Sequence, residues 1–302
     1  MPFIHTPDSV AWKAAFEHYN WDRLAEAWEL VEEFGVGEAS VNLGFYRLIE
    51  GEWRTRDRSD ITRVNPWLKV ELVLDEIGPD QTDLVELLVR ACDQVAERLN
   101  WQHGPETLIS LLAAEVDRPW ATNPYGYCVD KHPYEKICLP YHLLDQPGQL
   151  FEATAHEYAH VVSLNLSQGR VARWLSEAVS VLIERPENRY ASRKFRSGGW
   201  HWRRPEELEG MFNVNSEDIA GVQMAYAQSG LIGRFLASQP GGEAKLSELL
   251  AELAKNNLWS DFRRQFAGRS RADAALRSVY GLSEDQVFDL AFDSLRHDSA
   301  YN

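Results

Sequence analysis

In the stretch AHEYAH, residues 155–160, two histidines flank a glutamate in the spacing His156-Glu157-x-x-His160. Imidazole is a common ligand of divalent transition metals. On an α-helix, residues four apart stand one turn apart on the same face, so both rings reach one ion. Zinc is held by such nitrogens at about 2.0–2.1 Å. Glu157 is too near in sequence to join comfortably as a ligand, but it can reach a water on the metal and act as general base. A catalytic zinc site needs three protein ligands and one open position. The candidate third ligand is Glu177 in RWLSEAVSVLIE, separated from His160 by sixteen intervening residues, whose carboxylate completes a His-His-Glu set.

Both stretches read as helices. In GQLFEATAHEYAHVVSLNLS, Leu150, Phe151, Ala155, Ala159, Val162 and Leu166 recur at three- and four-residue steps, and no Pro or Gly interrupts from Gln149 to Gln168. After the turn signal SQGR, the residues Trp174, Leu175, Ala178, Val179 and Leu182 form a second apolar face. Two helices joined by a short loop pack side by side, which lets Glu177 project toward the histidines.

The pair HEYAH and WLSEA resembles the gluzincin zinc metallopeptidases, in particular the peptidase MA-like branch, whose members carry HExxH followed by a W-L-x-E-G/A block. AYAQSGLIGRFL (225–236) is similar to that branch's tyrosine-bearing stretch, and LSEDQVFDLAFDSLRH (282–297) to its final helix. The resemblance covers roughly residues 85–300 and leaves the first 65 outside it. It implies a zinc-dependent peptidase: Zn²⁺ on His156, His160 and Glu177, Glu157 as base, and Tyr226 as donor to the oxyanion, with His201 as the alternative donor. A peptide or protein substrate would lie along the strand KICLP, expected at a sheet edge. Two positions depart from the pattern. Ala178 stands where many relatives have Gly, and Val181 where thermolysin-type relatives have an Asp that holds a ligand histidine. Ser180, Glu152 or a backbone carbonyl would then hold the ring. The alternative function is a metal-bound regulatory or partner-binding protein with little or no proteolysis, docking a protein partner through its N-terminal helices.

The expected fold is α+β and zincin-like: a helical N-terminal segment (1–65), an α/β subdomain with a small mixed sheet ending in the HExxH helix (66–168), and a helical subdomain carrying the third ligand (169–302). Residues 8–34 read as two helices broken near Asn20, and a third runs from Ala39 to Glu50. RTRDRSDITRVNP (54–66) reads as a polar linker. WLKVELVLDEI alternates Val70, Leu72 and Leu74 as a strand. DQTDLVELLVRACDQVAERLNW is a helix, and the resemblance makes ETLISLLAAEV a strand. YGYCVDKHPYEKICLPYH reads as a hairpin turning near His132 and Pro133, with Cys128 opposite Cys138. The remainder is helical, and Ser283 with Gln286 forms a capping box at the last start.

Composition excludes other classes. With a net charge of −15, general binding to nucleic acid or anionic membranes is disfavoured. No apolar run reaches a membrane span, no secretory signal is visible at the start, and three cysteines make no disulfide scaffold, so a cytoplasmic protein is expected. Cys128, His132, Cys138 and His142 have the residue types for a second zinc, but ordinary buried thiols are the simpler reading. RPENRYASRKFRSGGWHWRR (185–204) carries seven Arg or Lys against one acidic residue. It reads as a structured loop beside the cleft that selects negatively charged substrate groups, rather than as a nucleic-acid site.

Overall fold

The computed structural model describes residues 10–34, 40–73, 75, 81–114, 116, 126–129, 135–184, 189–212, 219–255 and 270–297. The described chain is α+β, with twelve helices and a five-stranded mixed sheet. It divides into two compact units, residues 1–93 with 103–157, and residues 94–102 with 158–302. The N-terminal helices and the sheet fall in the first of these units.

In the first unit, helices α1 (Val10–Asn20), α2 (Leu24–Phe34) and α3 (Ser40–Arg58) precede β1 (Asp60–Asn65) and β2 (Leu68–Leu72). Helix α4 (Thr82–Arg98) crosses over to β3 (Thr107–Leu111), followed by β4 (Tyr127–Val129) and β5 (Lys136–Leu139). The strand order is β1-β2-β3-β5-β4; β2, β3 and β5 are parallel, and β1 and β4 are the antiparallel outer strands. Helix α4 buries Leu88, Ala91, Cys92 and Val95, a stripe at helical spacing.

Three expectations are corrected here. The polar stretch 54–66 is no linker: α3 runs on to Arg58, and 60–65 pairs with β2 around a turn in which Asn65 Oδ1 accepts the Trp67 N–H at 3.0 Å. Its charged, exposed side chains suit an outer strand, which must resist pairing with other chains. KICLP is not a sheet edge, because β5 lies between β3 and β4 and the edge belongs to Tyr127–Val129. Within that hairpin Cys128 opposes Ile137, and Cys138 opposes Tyr127. The one-residue offset sends Cys128 and Cys138 to opposite faces of the sheet. Cys92, Cys128 and Cys138 are buried thiols, while the His132–Pro133 turn and Leu74 lie outside the described residues.

Helices α1–α3 cover the face bearing Tyr127, Val129 and Cys138, with Trp12, Tyr19, Leu24, Val31, Leu48 and Ile49 in one apolar cluster. Inside this layer is a buried polar network. Glu52 Oε1 accepts from Tyr19 Oη at 2.5 Å and Tyr127 Oη at 2.8 Å, and its carboxylate pairs with Lys136. Lys136 Nζ also donates to Asp22 at 2.8 Å, while Arg56 bridges Asp22 and Glu71. Burial opposes the charge on Lys136, but Glu52 and Asp22 outweigh it and hold the ammonium pKa above its ordinary value.

The second unit holds the end of α5 (Pro147–Ser167), which runs through the division, and then α6 (Arg173–Glu184), α7 (Arg189–Arg196), α8 (Pro205–Met211), α9 (Ile219–Ala237), α10 (Ala244–Ala254), α11 (Arg271–Tyr280) and α12 (Glu284–His297). Part of the expected basic loop is therefore a helix, α7, because Ala191, Ser192 and Phe195 bury one face of it. The capping box holds: Ser283 Oγ accepts the Gln286 N–H at 3.1 Å and Gln286 Oε1 accepts the Ser283 N–H at 2.8 Å. No described helix is long and apolar enough to cross a membrane.

Candidate metal centre

Helix α5 carries His156, Glu157 and His160 and is buried almost continuously from Ala153 to Leu164. Small residues at Ala153, Ala155 and Ala159 let neighbouring elements approach on several sides, so the stripe expected from the sequence broadens to nearly the whole circumference. Glu177 sits on the second turn of α6 and is buried. The start of that helix is fixed from outside. Glu209 accepts the Arg173 and Trp174 N–H groups at 3.1 and 3.0 Å, and the Trp174 indole donates to Glu284 at 3.0 Å.

The structure brings His156, His160 and Glu177 together: each offers a ligand atom within 4.8 Å of the others. His160 Nε2 and Glu177 Oε2 are 3.5 Å apart. A charge-assisted N–H···O bond is shorter, about 2.7–2.9 Å. Two ligands about 2.05 Å from one tetrahedral ion stand roughly 3.3 Å apart, so the spacing fits shared coordination better than a direct ion pair. The donor set, two imidazoles and a carboxylate, suits a borderline ion such as zinc. The residues present therefore fit the group that the sequence implies.

The second nitrogen of His160 has a partner. Nδ1 lies 2.7 Å from Ser176 Oγ. A metal ion held on Nε2 would leave the ring proton on Nδ1, to be donated to the Ser176 hydroxyl. Ser176 replaces the expected candidates Ser180, Glu152 and a carbonyl for this ring. Its sequence signal was its place beside Glu177 in WLSEA, and the rotation of α6 decides that this neighbour meets the ring.

Glu157 is buried on the turn that carries His156. A Cβ added at Gly126, at the entrance to β4, would lie 3.6 Å from Glu157 Cγ and would collide with Leu139 and the Cys138 carbonyl. Gly126 has φ of +142°, so glycine is required for both conformation and space. The sheet edge thus begins against the glutamate, a relation that the expected edge at β5 had missed.

Tyr226 is half-buried on α9 with its ring edge-on to Phe212, centroids 5.5 Å apart. Gly230 faces Val181 and Gly233 faces Ala178, so α9 and α6 run antiparallel. The ring partner of Tyr226, Phe212, stands beside the start of α6, where the Phe212 carbonyl accepts from Arg173 Nη1 at 2.7 Å. His201 is exposed on the segment before α8. Among the described residues no second group of metal-binding type occurs, and the second-zinc set loses its geometry with the offset of Cys128 from Cys138.

No protein-family model, curated protein or solved structure matches this chain.

Proposed function

We propose that this protein is a zinc-dependent peptidase of gluzincin type, with a zincin-like arrangement of sheet and helices. The observation that carries the reading is the convergence of His156, His160 and Glu177 on a helix pair that also carries Glu157. A zinc ion bound there would supply Lewis acidity toward a scissile carbonyl and acidify a bound water. Glu157 takes the proton of the attacking water and returns it to the departing amine. Ser176 holds the His160 ring in the tautomer that leaves Nε2 free to ligate. The outer edge of β4, leading from Gly126 beside Glu157, suits an extended peptide added as a further strand. The N-terminal helices bury their apolar faces on the sheet.

The test joins metal content to turnover. The purified protein is expected to contain one zinc per chain and to cleave a peptide library in a chelator-sensitive way. His156→Ala should lose the metal. Glu157→Gln should keep it and lose turnover by about 10²–10⁴-fold, the range for a general base. Wild-type turnover in Glu157→Gln, or wild-type zinc in His156→Ala, would overturn the assignment.

A further inference from the structure

Helix α7 reverses the charge of the molecule locally. The chain carries −15 overall, yet RYASRKFR holds four cationic residues and no acidic one. Its inner face is anchored: Phe195 packs edge-on against Trp200 and Trp202, at 5.3 and 5.1 Å, and Trp202 packs on Phe292. The turn after it is closed by the Trp200 N–H donating to the Lys194 carbonyl at 3.2 Å. The outer face lines an open pocket of about 590 Å³ formed, among the described residues, by Tyr190, Arg193, Lys194, Arg196 and Ser197, none of them acidic. The Tyr190 ring is 56% exposed, edge-on to Trp200, and Lys194 Nζ lies 5.5 Å from its centroid.

We propose that this pocket binds a short acidic segment of a peptide, two or three closely spaced carboxylates, beside an apolar or aromatic side chain resting on Tyr190. That the bound peptide is the enzyme's substrate rests on the peptidase reading; the binding itself does not. Three observations select this ligand. The cationic side chains stand along a helix of eight residues, about 12 Å long, which matches a few adjacent carboxylates. A nucleic-acid strand needs a longer track, of about four to sixteen nucleotides per module. The exposed ring beside the cations offers a peptide side chain contact area that a bare inorganic anion would not use.

The experiment uses the full-length Glu157→Gln variant, so that binding is read without cleavage, and a fluorescein-labelled peptide carrying a Glu-Glu-Glu-Phe segment. The control replaces the three glutamates by glutamines. Anisotropy should show the acidic peptide binding at least tenfold tighter than the control, weakening about tenfold between 50 and 500 mM salt. Adding Arg193→Gln and Lys194→Gln should abolish the preference while the melting temperature stays within a few degrees. Equal affinity for the two peptides, or a preference that survives the double substitution, would overturn the site. Tighter binding of a labelled oligothymidine than of the acidic peptide would overturn the choice of peptide. If the acidic peptide binds as expected but the wild-type protein never cleaves it or any library peptide, the pocket stands and the peptidase reading fails.

Discussion

The geometry around His160 makes a claim about single atoms. One ring nitrogen lies 3.5 Å from the Glu177 carboxylate and the other 2.7 Å from the Ser176 hydroxyl. Groups that orient a metal-bound histidine typically contribute 10–100-fold in metal affinity. Ser176→Ala is therefore expected to weaken zinc binding by about that factor in a competitive chelator titration, with the fold intact. Because the hydroxyl is buried, Ser176→Cys, which keeps a weak acceptor, should fall between the two. Zinc affinity unchanged in both variants would mean that packing alone orients the ring. Nothing in His160 by itself identified this partner. The spacing to Glu177 was legible, but which neighbour on α6 would meet the second nitrogen depended on the rotation of that helix.

At the scale of elements, the ligand carboxylate is held by contact between α6 and α9. Gly230 and Gly233 leave no room for a side chain: a Cβ at Gly233 would run into the Ala178 carbonyl, and one at Gly230 into Val181. The backbone of α6 at Ala178 comes against α9 where Gly233 has no side chain. Overpacking at such a contact costs about 1–3 kcal/mol, occasionally more. Gly233→Val should lower the melting temperature by several degrees and reduce zinc content, since the helix that must move carries Glu177. Gly242→Val serves as the comparison for backbone strain, having positive φ but open space around it. Equal effects at the two positions would remove the helix contact as the cause. Distance along the sequence did not reveal which way α9 runs past α6.

Across the first unit, stability depends on a charged network in an otherwise apolar layer. Asp22, with φ of +55° at the turn between α1 and α2, meets Lys136 of β5 and Arg56 of α3. Burial pushes the Asp22 pKa up, but Lys136 and Arg56 more than offset this and hold it below its ordinary value. A carboxyl with a depressed folded pKa contributes stability above its unfolded pKa, about 3.9, and loses it as pH falls through the folded value. Thermal melts between pH 6 and pH 2.5 are expected to show Asp22→Asn less stable than wild type near neutrality, with the gap closing below about pH 3.9. A gap that stays constant down to pH 2.5 would mean that the Asp22 charge contributes nothing.

Periodicity and spacing determined much of this protein in advance. The helices that carry His156, His160 and Glu177, the crossover helix α4 and the capped last helix all follow from local patterns, because side-chain period and cap chemistry are properties of the chain within a few residues. What only the tertiary structure decided was relational. The polar run 54–66 became the end of α3 and an outer strand because Arg56 and Thr55 find partners from distant segments and β2 offers a free side. The sheet edge fell to β4, since strand order is not encoded in any one strand. The basic stretch folded partly into α7 because Phe195 had tryptophans to pack against. Each of these depends on contacts between residues far apart in sequence, where pairing and burial outweigh local propensity.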